Sequence, residues 1–160
     1  MVIRKFSTRL ALAIQPIWHT EPPLIRVAID DHELYHDHLR EFSTIEFSKQ
    51  LPVRDYVLTL EFLNKKDSDT QGNLDKAVVI KSLSFMDIVS DNFIWQGLYT
   101  PTYPEPWATQ QREAGNPPQP TLRHQTRLSW NGKWQVRFTV PIFTWIHQVE
   151  NLGWIYSVDQ

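Results

Sequence analysis

The sequence contains no cysteine and only five glycines among its 160 residues. Without cysteine there is no disulfide framework and no thiolate-ligated zinc site. The formal net charge is −2 at pH 7, which excludes recruitment of nucleic acid by bulk electrostatic attraction. No apolar run approaches the roughly 20 residues of a membrane-spanning helix. We therefore expect neither a nucleic acid nor a membrane as partner.

Sequence motifs of common catalytic sites are also missing. The chain has no G-x-S-x-G, no H-E-x-x-H and no G-x-x-x-x-G-K-[ST]. Acid–base hydrolysis needs a pair of carboxylates, and nothing in the spacing of Asp87, Asp91, Glu105 and Glu113 singles out such a pair. We therefore predict that the protein is not an enzyme.

The composition is that of one folded domain rich in rigid residues. Hydrophobic residues make up 41% of the chain, with seven tryptophans and eleven prolines. A chain of this length builds one real hydrophobic core and is too short for two ordinary domains. We predict a single domain over residues 1–160, with many aromatic anchors joined by stiff connectors.

Hydrophobic residues alternate with a period of two, which is typical of strands. The pattern predicts strands over Thr8–Ile14, Leu24–Asp31, Asp55–Asn64 and Lys76–Ile88, with Tyr56, Leu58, Leu60 and Phe62 facing inward. About eight short strands punctuated by Pro, Gly and Asn indicate an all-β fold, a β-sandwich or jelly roll.

Four local features depart from plain alternation. Phe42 and Phe47 are out of phase, which favours a β-bulge. Asn131-Gly132 is a typical type I′ hairpin turn, and Trp134 to Val140 then alternate as a strand. The segment 143–153 is compatible with a short helix ending at Gly153. Residues 100–120 hold six prolines, so we predict a long proline-rich loop there.

An aromatic series accompanies this loop, with Trp95, Tyr99, Tyr103 and Trp107 at intervals of four residues. Such rings stack on sugar rings, anchor protein–protein interfaces, or fill the protein's own core. Trp145 and Trp154 form a second group near the end of the sequence. A segment with so much apolar area docks either on its own domain or on a neighbour. These six residues are our candidates for protein contacts or glycan stacking.

The stretch 62–85, FLNKKDSDTQGNLDKAVVIKSLSF, places a polar segment between two predicted strands. It resembles the calcium-dependent, xylan-binding type of carbohydrate-binding module, in which a strand L-x-V-x-F-x-N-D precedes a polar loop and then D-R-N-L-Y-V-D-x-I. Leu58, Leu60, Phe62 and Asn64 fit the first motif. Asp75-Lys76 stands at the Asp-Arg position, followed by Val78 and Ile80. The resemblance covers residues 24–88 and implies a β-sandwich.

The resemblance also implies a calcium site, for which Asn64, Asp67, Asp69 and Asp75 are the candidate oxygen ligands. Lys65 and Lys81 stand where the family carries acidic residues, and Lys66 and Lys76 add positive charge near the same loop. An ammonium group repels a calcium ion, so the sequence favours a solvated connector over a bound metal.

A second set of metal-ligand residue types lies in Asp30 to His38, DDHELYHDH. His36 and His38 alternate on a predicted strand, so they share a face, and His32 lies across the predicted turn. A polar hairpin on a solvated face explains the same residues without a metal.

These patterns favour a non-enzymatic structural or assembly protein. In outline the chain is similar to accessory structural proteins of tailed-phage particles, which implies contacts with other structural proteins, a homo-oligomer, and a virion location after assembly in the host cytoplasm. The alternative function is carbohydrate binding, with a glycan as partner and calcium as a possible cofactor.

Overall fold

A computed structural model describes residues 3–151, and it is built mainly from antiparallel strands. The strands are β1 (Lys5–Ile17), β2 (Leu24–Ile29), β3 (His32–His38), β4 (Ser43–Pro52), β5 (Arg54–Phe62), β6 (Ala77–Phe85), β7 (Ile88–Val89), β8 (Leu98–Pro101), β9 (Leu122–Arg123), β10 (Arg127–Leu128) and β11 (Gly132–Val140). The described residues also form three short α-helices, α1 (Asp91–Trp95), α2 (Trp107–Glu113) and α3 (Ile142–Val149), and one 3-10 helical turn, Asp67–Asp69. None of the described helices is long and apolar enough to cross a membrane.

The strands form two antiparallel sheets that share one core. The first sheet has the order β10-β6-β1-β4, with β7 paired to β6, and the second has the order β3-β2-β5-β11-β8-β9. Leu12 and Ile14 of the first sheet and Leu58 and Phe62 of the second are all buried in one hydrophobic cluster. The predicted all-β sandwich is confirmed.

The inward faces of the central strands are those that alternation predicted. Tyr56, Leu58, Leu60 and Phe62 of β5 are buried, and they lie beside Trp134, Val136, Phe138 and Val140 of β11, which are buried too. Strand side chains alternate between the two faces of a sheet, so Arg137 lies on the opposite face and is exposed.

The predicted hairpin at Asn131-Gly132 is wrong. Leu128 of β10 pairs with β6 in the first sheet, whereas β11 pairs with β5 and β8 in the second. The chain therefore crosses between the sheets at these residues. Gly132 is required by close approach, because a Cβ there would lie 2.4 Å from the carbonyl oxygen of Thr100, and its φ is +146°.

The predicted β-bulge at Phe42 to Phe47 is also wrong. Ser43 to Pro52 pair with β1 in unbroken register, and Phe42 precedes the strand and is exposed. The register shifts of the described strands lie at Ala13/Ile14, opposite β6, and at Val27/Ala28, opposite β3. Phe42 breaks the alternation because it is not part of the strand.

The proline-rich segment 100–120 is not a plain loop, since it contains α2. The sequence of α2, WATQQRE, consists largely of good helix formers. One oxygen of the Glu105 carboxylate accepts hydrogen bonds from the hydroxyl and the amide of Thr109 in the first turn. That hydrogen bonding, foremost from the Thr109 hydroxyl, lowers the pKa of Glu105. The predicted C-terminal helix is present as α3, but the predicted end at Gly153 is wrong, because the helix ends at Val149 with Glu150 as its C-cap.

Candidate functional site

Two segments far apart in sequence meet at one cleft. The polar loop, residues 63–76, forms one wall, and the proline-rich segment, residues 100–120, forms the other together with residues 129–131. The larger part of the cleft has a volume of about 590 Å³, which is within the usual range of small-ligand sites. We call it the aromatic cleft; it is lined by Lys65, Asp67, Thr70, Asp75, Thr102, Tyr103, Pro104, Glu105, Pro106, Trp107, Ser129, Trp130 and Asn131.

Three aromatic rings cluster in this cleft. The ring centroids of Tyr103 and Trp130 are 5.3 Å apart, and those of Tyr103 and Trp107 are 5.8 Å apart. Trp107 and Trp130 lie 6.4 Å apart and are tilted by 22° to one another. Trp107 remains 39% exposed, so the cluster offers apolar ring surface to a ligand.

Tyr99 does not reach the cleft surface, because its side chain is fully buried. Its hydroxyl donates to the carbonyl oxygen of Trp130 and accepts from the Trp130 amide, 3.1 Å away. Burial raises the pKa of Tyr99 to about 12, so the phenol stays neutral and able to donate. Tyr99, predicted as a contact residue, instead supports the backbone that carries Trp130.

The rings contributed by the proline-rich segment are held in place locally. The Tyr103 hydroxyl donates to the carbonyl oxygen of Gln119 at 2.6 Å, which links the two ends of the segment. Trp107 is the first residue of α2. Of the predicted aromatic series, Tyr103 and Trp107 therefore lie together on the cleft.

Asn131 joins the two walls of the cleft. Its side-chain Oδ1 accepts from the Lys65 amide at 2.7 Å, and its Nδ2 donates to the Lys65 carbonyl oxygen at 3.2 Å. Its own carbonyl oxygen accepts from the Thr102 amide at 2.6 Å. One asparagine thus fixes the polar loop, the start of the proline-rich segment and Trp130 relative to each other.

Ion pairs organise the polar loop. Asp75 accepts from Lys65 Nζ and from the Thr70 hydroxyl on one oxygen, and from Arg127 on the other. Burial raises the pKa of Asp75, but these hydrogen bonds outweigh it and hold the pKa well below its usual range. The pKa of Asp69 is also lowered: the amide of Lys66 and the ammonium of Lys76 overcome the effect of burial.

The predicted calcium ligands do not converge on a shared metal position. The Asn64 amide oxygen accepts from the Leu24 amide at 2.7 Å, and Asp69 and Asp75 are paired with lysines. Within residues 3–151 no group of three or more His, Cys, Asp or Glu side chains is arranged to hold a metal ion. These residues therefore do not fit a calcium ion. Asp67 is exposed and lines both parts of the cleft.

The remaining predicted aromatic residues lie elsewhere. Trp95, at the end of α1, is 48% exposed, and its ring lies 6.0 Å from that of His124. Trp145 of α3 is buried against Phe85 and Phe93, so of the two outcomes left open by the sequence it packs within its own fold, and its choice as a candidate for protein contacts or glycan stacking is wrong. Trp154 lies outside the described residues.

The histidine hairpin is present, with β2 and β3 joined at Asp30-Asp31. His36 lies 3.1 Å from Glu33, and His38 lies 3.8 Å from both Glu21 and Asp37. These side chains are largely exposed, as on a solvated strand, and they belong to no metal-holding group in the described part of the chain.

Trp130 and Asn131 are the site residues that sequence reasoning missed. The sequence pattern places Asn131 in a hairpin turn, with Trp130 directly before that turn. A usable signal in the sequence is the asymmetry across these residues: alternation runs from Trp134 to Val140 after Gly132, whereas only Leu128 and Trp130 are apolar among residues 123–130. That asymmetry argues against a hairpin with two matched strands.

No protein-family model matches the sequence, and no curated protein matches it. The fold is similar to that of solved structures of vCBM60. The description of one of these structures speaks of "two families of calcium-dependent carbohydrate binding modules". The selenomethionine form of vCBM60 has a TM-score of 0.51 at 8% identity and covers 80% of this chain and 88% of that chain. The complex of vCBM60 with galactobiose has a TM-score of 0.48 at 8% identity, covering 79% of this chain and 95% of that chain. At such identity the first likeness shows the fold of a carbohydrate-binding module and nothing about the ligand.

Proposed function

We propose that the chain is a non-catalytic carbohydrate-binding module and that the aromatic cleft holds the glycan. The observation that carries this proposal is the convergence of Tyr103, Trp107 and Trp130 beside the polar loop. A sugar ring has an apolar face, which packs on aromatic rings. It also carries hydroxyl groups, which need hydrogen-bonding partners. The cleft supplies both, because Asp67 and Thr70 lie across from the rings.

Preorganisation supports binding at this cleft. Tyr103 is tied to Gln119, Trp130 is held by Tyr99, and Asn131 joins the walls. Rings that are already ordered lose little conformational entropy when a ligand docks. These hydrogen bonds around the rings thus favour a surface that is rigid before the ligand arrives.

The state of the carboxylates supports a binding role over hydrolysis. A glycosidase needs a protonated acid with a raised pKa opposite a second carboxylate. In the cleft, hydrogen bonds from the loop lower the pKa of Asp75, and the Thr109 hydroxyl lowers that of Glu105. Both groups are therefore ionised at neutral pH and unsuited to act as the acid.

Affinity electrophoresis tests the proposal directly. The wild-type protein is run through gels containing soluble xylan, galactan or mixed-linkage glucan, with Trp107→Ala and Trp95→Ala as matched variants. We expect at least one polysaccharide to retard the wild-type protein. The same polysaccharide should no longer retard Trp107→Ala, whereas it should retard Trp95→Ala as much as the wild type. Absence of retardation in every gel, or equal loss in both variants, would contradict glycan binding at the aromatic cleft.

Assembly through protein contacts is the second candidate function. Ile88 and Val89 of β7, Trp95 of α1 and Phe143 of α3 are exposed apolar residues on neighbouring elements. Ser90 and Asn92 bond to Glu150 just after α3, which ties these elements together.

The partner that we test is a second copy of the chain, and a location in a phage particle stays a prediction. Light scattering measures the molar mass of the wild-type chain as its concentration is raised. A dimer that forms with rising concentration and is absent in Phe143→Ser supports this role, whereas a wild-type chain that stays monomeric contradicts it.

A further inference from the structure

We propose that the ammonium groups of Lys65 and Lys76 act as built-in cations of the polar loop, so that this loop is ordered without calcium. The structurally similar vCBM60 is described among calcium-dependent carbohydrate-binding modules, whereas the loop residues of this chain do not fit a calcium ion. The inference is independent of glycan binding, because it concerns what holds residues 63–76 in place.

Lys76 supplies the inner positive charge. Its side chain is 1% exposed, and its Nζ lies 3.2 Å from Asp69 Oδ2, whose side chain is 6% exposed. The same Nζ donates to the carbonyl oxygen of Asn64 at 3.2 Å. A lysine is almost never fully buried unless it is paired. Lys76 is therefore a buried cation in a shell of carboxylate and carbonyl oxygens, which are the oxygen types that calcium prefers.

Lys65 supplies the outer positive charge. Its Nζ donates to Asp75 Oδ1 at 2.5 Å and to the carbonyl oxygen of Lys76 at 2.7 Å. Its side chain is 11% exposed, and it lines the aromatic cleft. This second ammonium group thus has the same kind of environment, one carboxylate oxygen and one backbone carbonyl oxygen.

The two lysines brace, in a reciprocal way, the ends of two strands that follow each other in sequence but belong to different sheets, β5 and β6. Lys65 follows β5 and bonds to the backbone of Lys76, which precedes β6, while Lys76 bonds to the backbone of Asn64 just beyond β5. A metal ion bound between two strand ends cross-links them through oxygen ligands. Here covalently attached ammonium groups make that cross-link, so no ion has to be captured.

Charge balance excludes a further divalent ion at the same oxygens. Asp69 is paired with Lys76, and Asp75 is paired with both Lys65 and Arg127. Calcium requires six to eight oxygen ligands, several of them carboxylates with free negative charge. An ion placed there would meet two or three positive groups and would have to displace them.

Thermal unfolding of the purified chain, monitored by differential scanning fluorimetry, tests the inference. Wild-type Tm is measured in EDTA and in about 5 mM calcium chloride, a concentration above the Kd of weak protein calcium sites. We expect the same Tm in both. A Tm in calcium that is higher by about 3 °C or more, rising with calcium concentration as mass action requires, would overturn the inference.

Variants of the lysines provide the second half of the test. Lys76→Met leaves Asp69 unpaired, so we expect Tm to fall by roughly 6–20 °C. Lys81→Met, which removes an exposed lysine of β6, is the matched control and should leave Tm nearly unchanged. A Lys76→Met protein that is as stable as the wild type would overturn the proposed role of the ammonium group.

Two further variants keep the test decisive if Lys76→Met does not fold. Asp69→Leu/Lys76→Met removes both charges, and we expect a folded protein because a buried ion pair is replaceable by apolar residues. Lys65→Met, at the less buried position, should lower Tm by several degrees. An unchanged Tm in Lys65→Met, or a double variant that is no better than the single one, contradicts the inference. Polysaccharide gels are not involved, so failure here is distinct from failure of the proposed function.

Discussion

Two clusters of aromatic rings in this chain lie in opposite environments. The sealed cluster, formed by Phe85, Phe93, Phe138 and Trp145, lies between β6, β11, α1 and α3, and its members are all buried. The open cluster, formed by Tyr103, Trp107 and Trp130, lies beside ionic residues and keeps part of its ring surface exposed.

The difference lies in what surrounds the rings. In the sealed cluster α1 packs against β6 of the first sheet and α3 packs against β11 of the second, so each ring contacts other hydrocarbon. In the open cluster the neighbour is the polar loop, and ring surface of Trp107 stays exposed. The abundance of aromatic residues therefore does not by itself indicate a binding surface, and the decisive factor is the polarity of the segment that packs nearby.

The largest expected effect comes from opening the sealed cluster. Trp145→Ala removes a ring that contacts Phe85 and Phe93 at centroid distances of 4.9 and 5.4 Å. Truncation of a buried tryptophan costs about 3–5 kcal/mol of the free energy of unfolding. Urea denaturation measures this loss, with Trp95→Ala as the exposed control, for which we expect about 1 kcal/mol or less. Equal losses in both variants would show that Trp145 is not part of the core.

The next effect concerns the open cluster, where the same type of substitution should spare stability and reduce binding. Trp107→Ala removes a partly exposed ring, so we expect glycan affinity to fall by about 30-fold, corresponding to about 2 kcal/mol for a central aromatic contact. Isothermal titration with an oligosaccharide of the polysaccharide that retards the wild type gives the value. Unchanged affinity with unchanged folding would contradict the role assigned to this ring.

A smaller effect is expected from the polar wall of the cleft. Asp67→Asn keeps the shape of an exposed side chain while removing its charge, so we expect about a tenfold loss of affinity, the scale of one hydrogen bond to a charged group. Tm should not change, because within residues 3–151 Asp67 takes part in none of the ion pairs of the loop. Asp91→Asn, on α1 and remote from the cleft lining, serves as the control. Equal affinity for Asp67→Asn and the wild type would remove Asp67 from the site.

The smallest effect is a pH dependence of the loop that supports the open cluster. The folded-state pKa of Asp75 is lowered, chiefly by Lys65, Thr70 and Arg127 acting against burial. Its stabilising contribution is therefore fully present above the unfolded pKa of about 4 and is lost as the pH falls toward the folded value. The difference in Tm between wild type and Asp75→Asn should be several degrees at neutral pH and should shrink below about pH 4. A difference that is constant down to about pH 2 would contradict the ion pairing.

Alternation predicted the sheets well and the site only in part. The faces of β5 and β11 follow from period two, because one buried face dictates every second residue. The interval of four residues from Trp95 and Tyr103 groups Tyr99 with the contact residues, and this assignment is wrong. In the structure β8 pairs with β11, which directs the Tyr99 side chain into the core. The i, i+4 spacing has meaning on a helix, whereas these residues lie on four different segments.

Asn131 and Gly132 illustrate a second limit. The pair has the local signature of a hairpin turn, yet β10 and β11 belong to different sheets. Which sheet a two-residue strand joins depends on its partner, Val78 and Val79 of β6, and that pairing is not encoded locally. The lysines of the polar loop, by contrast, were informative in sequence, because positive charge among candidate calcium ligands is a local electrostatic contradiction.

Indole N–H resonances give the most direct test of the account. The chain has seven tryptophans, each with one side-chain N–H signal, and single substitutions assign them. On titration with the bound oligosaccharide in EDTA, we predict that the signals of Trp107 and Trp130 move while those of Trp134 and Trp145 stay in place. Movement confined to Trp95, or no movement while binding is observed by calorimetry, would contradict the assignment of the glycan to the aromatic cleft.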